Sequence, residues 1–120
     1  FIPQTYCDDK DPLDVLVISA ATVYPMTLIE AKVIGVMHMI DGGEQDDKII
    51  AVAKNDMSVN YVNDIAELPP HTMKEIVQFF QEYKAREGKS VIIEKVSGRE
   101  IAQQIVMDSI DLYNNEIRNK

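Results

Sequence analysis

Apolar residues follow a β pattern in three stretches of the first half of the chain. Residues 15–18 form a continuous apolar run, which predicts a short strand buried on both faces. Residues 28–40 are rich in β-branched side chains and predict one long strand, with Gly35 at a bulge or tight bend. Residues 48–54 resume the β pattern. We therefore expect the second and third strands to pair antiparallel across an acidic loop.

The pattern changes to helical periodicity after a polar segment. Residues 55–71 predict an irregular connection with a short helical turn near 62–68. The sequence Thr-Met-Lys-Glu at 72–75 has the form of a capping box and predicts the start of a helix that ends at Gly88. Its apolar residues recur at helical spacing and predict one buried stripe, formed by Ile76, Phe79, Phe80 and Tyr83.

The last quarter of the chain predicts one more strand and a second helix. Residues 91–96 have the composition of a short strand, and 97–100 form a second capping box. One face of the following helix is apolar and comprises Ala102, Val106, Ile110, Tyr113 and Ile117. Because the strands largely precede the helices, the order predicts a single α+β domain over residues 1–120, built on a small antiparallel sheet or barrel without an internal boundary.

Composition and charge narrow the function classes. The 120 residues are 46% hydrophobic and 27% charged, with 5 Gly and 5 Pro, which is typical of one globular domain rather than a disordered or repetitive chain. The net charge of −8 disfavours nucleic acid and anionic membrane surfaces as partners. A domain that binds nucleic acid would also need a basic groove with interleaved aromatic side chains.

The cysteine content and the N-terminus bear on localisation. Cys7 has no second cysteine with which to pair, which favours a reducing, cytoplasmic setting. No apolar run approaches the roughly 20 residues needed to cross a bilayer, and the first residues lack the pattern of a secretory signal. The chain starts at Phe1 rather than Met, from which we expect that upstream sequence has been removed.

Eight carboxylates are concentrated in two short segments, each next to a predicted strand. Carboxylate oxygens clustered in this way suit Mg²⁺, Mn²⁺ or Ca²⁺, since bound cations offset the repulsion between like charges. The alternative is two solvated acidic turns. The pattern fits neither an EF-hand loop nor a zinc site. The first segment contains Asp8, Asp9, Asp11 and Asp14, and the second contains Asp41, Glu44, Asp46 and Asp47.

The first acidic segment resembles a known signature. Residues 9–15, Asp-Lys-Asp-Pro-Leu-Asp-Val, resemble the Asp-x-Asp-Pro-x-Asp-Val motif of the family I soluble inorganic pyrophosphatases. The resemblance extends over residues 1–5, 32–52 and 79–84, while the last 20 or so residues resemble the family only as an amphipathic helix. It implies an α+β fold with a mainly β core: an OB-like five-stranded antiparallel barrel, here incomplete, with two helices of the C-terminal half packed outside.

The resemblance implies a role for each acidic residue that matches the family motif. Asp9, Asp14 and Asp46 would bind the activating metal ions, with Asp14 shared between two of them. Asp41 would bind the additional metal ions that arrive with the substrate. Asp11 would be the general base next to the water that bridges the metals. The expected cofactor is Mg²⁺, with several ions per site, and Mn²⁺ or another divalent ion is the alternative.

The resemblance also implies which residues bind the substrate. Tyr83 and Lys84 would hold the phosphate that leaves, and Lys48 would orient carboxylates of the second acidic segment. The implied activity is Mg²⁺-dependent hydrolysis of pyrophosphate to two orthophosphates by a metal-activated water. Considered without the resemblance, Tyr83 is a core residue that closes the apolar stripe of its helix, and Lys84 is a solvated lysine.

The family carries a longer N-terminal part, with further site residues, for which these 120 residues have no counterpart. The chain is therefore expected to correspond to the C-terminal two-thirds of a pyrophosphatase, with the metal-binding carboxylates present and much of the phosphate clamp absent. Two outcomes are expected for this piece alone: it hydrolyses pyrophosphate, or it binds metal without turnover because cationic clamp groups are missing. The second hypothesis is a non-catalytic OB-type module that binds divalent metal or a protein partner. The resemblance also implies a homo-oligomer, a hexamer if the protein is bacterial.

Overall fold

Five strands form one sheet in the part of the chain that the computed structural model describes, which is residues 2–5, 12–19, 30–88 and 91–118. The strands are β1 (Asp14–Ile18), β2 (Ala31–Asp41), β3 (Glu44–Gln45), β4 (Lys48–Ala53) and β5 (Val91–Gly98). A 3₁₀ turn (Ile65–Glu67) and the helix α1 (Pro70–Arg86) lie between β4 and β5. The helix α2 (Arg99–Tyr113) follows β5 and continues into a π-helical turn (Asn114–Arg118).

Strand β2 is the centre of the sheet. It pairs antiparallel with β3, β4 and β5, which confirms the predicted pairing across the acidic loop. Strand β1 pairs with β4 in parallel, with Asp14 opposite Lys48. The α+β class and the OB-like fold are confirmed. The sheet is mixed rather than antiparallel, because β1 pairs with β4 in parallel. It is also open, with β1 at one end of the strand order.

The predicted bend at Gly35 is present in β2. The register between β2 and β4 shifts between Val33 and Gly35, as expected for a bulge. A Cβ atom added at Gly35 would lie 2.7 Å from Cβ of Ile65. Glycine is needed here because the 3₁₀ turn that contains Ile65 packs directly on the backbone of β2.

The alternation of side chains along β4, together with the bulge near Gly35 that interrupts the alternation of β2, produces two apolar clusters. One contains Ile34 and Ile50 of the sheet with Ile76 of α1. The other contains Val36 and Ile49 with Ala102 of α2. Successive strand residues point to opposite faces, so the two helices cover different sides of the sheet. Burying both faces explains why β4 is buried along its whole length.

Strand β1 and helix α1 differ in burial from their predictions. Strand β1 is half-buried rather than buried on both faces, because it lies beyond β4 at the end of the strand order. In α1 the predicted stripe is confirmed for Ile76, which is buried, and for Phe80, which packs against the same apolar cluster. It is wrong for Phe79, which is 54% exposed, and for Tyr83, which is 49% exposed. These two exposed rings line an open cleft between α1 and the start of β1.

Both helices start at residues other than the predicted ones. Helix α1 begins at Pro70 with Pro69 as N-cap, because a proline at the first helical position is already set to the helical φ angle. The predicted box at 72–75 thus lies within the helix.

Helix α2 has Gly98 as N-cap. Its cap comes from Asp64 instead of the predicted box at 97–100, because Asp64 Oδ2 accepts a hydrogen bond from the Arg99 backbone N–H at 3.1 Å. The Ser97 hydroxyl bonds to His38 instead.

No helix in the described ranges is both long and apolar enough to span a bilayer.

Candidate functional site

Two adjacent strand starts bring Asp14 of the first acidic segment close to the second acidic segment. Asp14 is the first residue of β1, and Lys48 is the first residue of the neighbouring β4. The parallel pairing places these two residues side by side. The Lys48 Nζ lies 2.6 Å from Asp14 Oδ2 and 3.0 Å from the carboxylate of Asp46. A single ammonium group therefore joins a carboxylate of each acidic segment.

Lys48 is a buried charge that two carboxylates stabilise. Its side chain is 8% exposed. Burial alone lowers the pKa of Lys48, but the hydrogen bonds and the negative charges of Asp14 and Asp46 outweigh that effect and raise its pKa above the usual 10.5. The lysine is thus cationic at neutral pH, and the space between these carboxylates favours positive charge.

A second lysine–aspartate pair lies between β2 and α1. Asp41 is the last residue of β2, and Lys84 is in the last turn of α1. The Lys84 Nζ is 2.8 Å from Asp41 Oδ2, and both side chains are largely buried. The bond to Asp41 raises the pKa of Lys84, with burial as the opposing effect. The contact fixes the end of the central strand to the helix that carries Tyr83.

An open cleft of about 480 Å³ connects these groups. Asp14 and Lys48 line it from the sheet, and Tyr83 and Lys84 line it from α1. Phe79 and Phe80 add an apolar wall that the sequence did not assign to the site. The rings of Phe79 and Tyr83 are stacked with centroids 6.1 Å apart. The position of Phe79 one turn before Tyr83 was the available signal.

The predicted site residues are only in part brought together. Asp9 and Asp11, the predicted metal ligand and general base, lie outside the described residues. Asp14 and Asp46 meet at Lys48, and Asp41 meets Lys84. Among the residues that the structure describes, no group of three or more His, Cys, Asp or Glu side chains converges as a metal site. The roles assigned from the resemblance therefore stay predictions.

His38 has polar contacts beside the second acidic segment that the sequence analysis did not identify. It lies on β2 among apolar neighbours and bonds to Asp47 and Ser97. A polar side chain in the middle of an apolar strand was the signal for these contacts, since buried polar groups are nearly always hydrogen-bonded.

The chain was compared with known proteins. The family model described as inorganic pyrophosphatase matches residues 1–114. Soluble inorganic pyrophosphatase 2 of Chlamydomonas reinhardtii is 48% identical over 113 residues, and soluble inorganic pyrophosphatase 4 of Arabidopsis thaliana is 50% identical over 113 residues. Each alignment covers 94% of this chain, which spans 59% of the length of the first relative and 52% of the second.

Solved structures give the same family. The inorganic pyrophosphatase of Thermus thermophilus superposes with a TM-score of 0.89 at 35% identity, over 95% of this chain and 67% of that one. The Helicobacter pylori enzyme superposes with a TM-score of 0.89 at 34% identity, over 95% of this chain and 69% of that one.

Proposed function

The chain belongs to the inorganic pyrophosphatase family, and from this premise we propose that it hydrolyses inorganic pyrophosphate to two orthophosphates. One observation carries the proposal. Asp14, Lys48 and Asp46 form a charged cluster where β1 and β4 begin. Asp14 and Lys48 line one side of the open cleft, and Tyr83 and Lys84 of α1 line the other. This arrangement combines hard anionic ligands with cationic groups, which is the combination that phosphoryl transfer requires.

The donor set fits a divalent metal ion, on which pyrophosphatases in general depend. The described carboxylates supply only oxygen donors, and Asp14 and Asp46 approach one cationic nitrogen from two sides. Hard oxygen ligands suit Mg²⁺, which we propose as the cofactor. We assign Asp9, Asp14, Asp41 and Asp46 as its ligands. When bound, the ion would supply positive charge for a polyanionic substrate and acidity for a coordinated water.

The residues of α1 would bind the substrate. The Lys84 ammonium and the Tyr83 hydroxyl are donors on one helix beside the cleft, and both could stabilise negative charge on the departing phosphate. Lys48 would orient Asp14 and Asp46 by donating to both. Since Lys48 and Lys84 are both already paired with carboxylates, the site would exchange these internal ion pairs for contacts with substrate and cation.

Asp11 would accept the proton of the attacking water. It lies three residues before Asp14, in the motif Asp-Pro-Leu-Asp that leads into β1. A carboxylate can accept a proton from a water held beside it, which is the role of a general base. This role rests on the family motif, because Asp11 is outside the described residues.

The test is phosphate release from pyrophosphate by the full chain, with and without Mg²⁺. We expect Mg²⁺-dependent release, reduced at least about 100-fold by Asp11→Asn, which keeps the shape of the side chain but removes the base. The matched control is Asp111→Asn on the exposed face of α2, which should leave the rate unchanged. Mg²⁺ binding without phosphate release from a folded chain would contradict the proposal and favour the non-catalytic metal-binding module.

We propose further that residues 1–120 form one domain of a cytoplasmic homo-oligomer, a hexamer if the protein is bacterial, whose ligands are pyrophosphate and phosphate. The net charge of −8 disfavours nucleic acid and anionic membranes as partners. The single cysteine has no second cysteine with which to pair, which favours a reducing compartment such as the cytoplasm. Light scattering coupled to size-exclusion chromatography measures the oligomeric state directly.

A further inference from the structure

Three polar side chains, those of Asp47, His38 and Ser97, are joined by hydrogen bonds at the second acidic segment. His38 of β2 is 6% exposed. Its Nδ1 is 3.1 Å from Asp47 Oδ1, and its Nε2 is 2.8 Å from the Ser97 Oγ on β5. A carboxylate only accepts hydrogen bonds, so Nδ1 donates to Asp47, and in the neutral imidazole Nε2 accepts the hydroxyl hydrogen of Ser97.

The hydrogen bond from His38 holds Asp47, whose two neighbours in the sequence belong to the proposed site. Asp47 lies between Asp46 and Lys48, which bond to each other. Because Asp47 is bonded through the backbone to both of these residues, a contact that holds its side chain restrains the segment from which Asp46 and Lys48 project. The backbone is fixed at the same place, because the Asp46 N–H donates to the Met39 carbonyl at 2.9 Å.

We propose that His38, oriented by Ser97, is a positioning residue that holds Asp47 so that Asp46 is directed toward Asp14 for binding a divalent cation. The inference rests on the proposed function, since it assigns a partner to a carboxylate of that site. It assigns no chemical step to His38 or Ser97. It follows the general pattern in which outer hydrogen-bond partners orient the carboxylates that bind a metal ion.

Nucleophilic use of Ser97 is the competing interpretation, because the order serine, histidine, aspartate is also that of a catalytic triad. The positions favour the orienting role. Asp47 is adjacent in sequence to two residues of the carboxylate–lysine cluster, and Ser97 lies on a strand paired with β2 rather than among the residues described around that cleft.

The test measures Mn²⁺ affinity of the full chain by electron paramagnetic resonance, together with its melting temperature. Ser97→Ala should weaken Mn²⁺ binding about 10-fold, which is the size of effect typical of outer-shell partners. Ser97→Thr keeps the hydroxyl on a β-branched side chain and should restore the affinity. Ser58→Ala is the matched control, because it removes a hydroxyl that bonds to Asp56 in an exposed turn.

The outcomes separate this proposal from the proposed function. Weaker Mn²⁺ binding by Ser97→Ala, at an unchanged melting temperature and with recovery in Ser97→Thr, supports it. Equal affinity of Ser97→Ala and the wild type overturns it and leaves the proposed function intact. Labelling of Ser97 by a fluorophosphonate probe also overturns it, in favour of a nucleophilic serine. A wild-type chain that binds no Mn²⁺ overturns both.

Discussion

Lys48 is the residue that makes the two acidic segments compatible with one folded structure. Without a cation between them, Asp14 and Asp46 would face each other at the same sheet edge, and like charges at short range are costly. The ammonium group offsets that repulsion and is itself buried, whereas the Asp14 side chain is 55% exposed. A divalent cation in the proposed site would serve the same electrostatic purpose.

Replacing this lysine should reveal how the charges are shared. In metal-free buffer, Lys48→Met should lower the free energy of unfolding by about 2 kcal/mol, because it leaves two carboxylates without their cationic partner. Mg²⁺ should recover more stability in the variant than in the wild type, since the ion no longer competes with the ammonium group. Urea unfolding followed by circular dichroism, with and without Mg²⁺, measures both effects.

Lys54→Met is the matched control for this variant. Lys54 is 65% exposed and lies 3.8 Å from Glu30, an exposed pair whose loss should change the free energy of unfolding by less than about 0.5 kcal/mol. If the two variants lost equal stability, the buried position of Lys48 would not be the cause.

The alkaline dependence of stability has a definite sign. The pKa values of Lys48 and Lys84 are both raised in the folded chain, from an ordinary value of 10.5. Their contribution is fully present below the unfolded pKa and is lost as the pH rises through the folded pKa. The wild type should therefore lose stability above pH 10.5, and Lys48→Met should lose less over that interval. Urea unfolding at stepped pH tests the difference.

At the scale of elements, Asp64 joins two segments that are distant in sequence. Its Oδ1 accepts from the Ala66 N–H in the 3₁₀ turn, and its Oδ2 accepts from the Arg99 N–H at the start of α2, each at 3.1 Å. A Cβ atom at Gly98 would lie 3.0 Å from the same carboxylate, so the glycine leaves room for the contact. One side chain thus orients α2 relative to the turn that packs on Gly35.

Removing this shared cap should destabilise the fold. Asp64→Ala should cost about 1–2 kcal/mol at pH 7, within the range for loss of an N-cap, because two backbone N–H groups lose their acceptor. The bonds to Ala66 and Arg99 lower the pKa of Asp64 below its usual 3.8. Its contribution is therefore present above that value and is lost as the pH falls through the folded pKa.

The measurement is urea unfolding of the wild type and the variant at pH 7 and at about pH 3. The difference between them should shrink at the lower pH. Asp64→Asn is the control, because it keeps an acceptor oxygen and removes the charge, and it should be less destabilising than alanine at pH 7. A difference that does not depend on pH would show that the carboxylate charge has no part in the cap.

For the whole molecule, the excess of acidic residues couples stability to cations. A net charge of −8 opposes the compact state through self-repulsion, and Asp14 and Asp46 are brought close to each other at Lys48. Screening by any salt relieves the general part of this effect, whereas only a site-bound ion relieves the local part.

Thermal unfolding in MgCl₂ and in NaCl of equal ionic strength separates these parts. If Mg²⁺ binds the folded chain, it should stabilise it by about 2.7 kcal/mol at 100 times its dissociation constant, beyond the screening common to both salts. Asp14→Asn should abolish this excess, because it removes a proposed ligand, while Asp111→Asn should retain it. Identical melting curves in the two salts would contradict specific binding.

The sequence determined the local elements and the family. Four of the strands, both helices apart from their first residues, the bend at Gly35 and the turn before α1 were predicted, because periodicity, β-branched content and glycine act within a few residues of chain. The two-residue strand β3 was not predicted. The motif at 9–15 identified the family for the same reason, since its residues are consecutive. Of the predicted site residues, Asp14 and Asp46 meet at Lys48 in the structure, and the roles of all of them stay predictions.

Tertiary structure decided what depends on distant partners. The parallel pairing of β1 with β4, the exposure of Phe79 on α1 and the capping of α2 by Asp64 all involve residues that no local pattern connects. The same holds for Ser97, which the sequence predicted to cap a helix and which forms a hydrogen bond with His38 in the structure. Hydrophobic periodicity specifies that a face is to be buried, but which residues it meets, and which polar groups are left to bond to each other, follows only from packing in three dimensions.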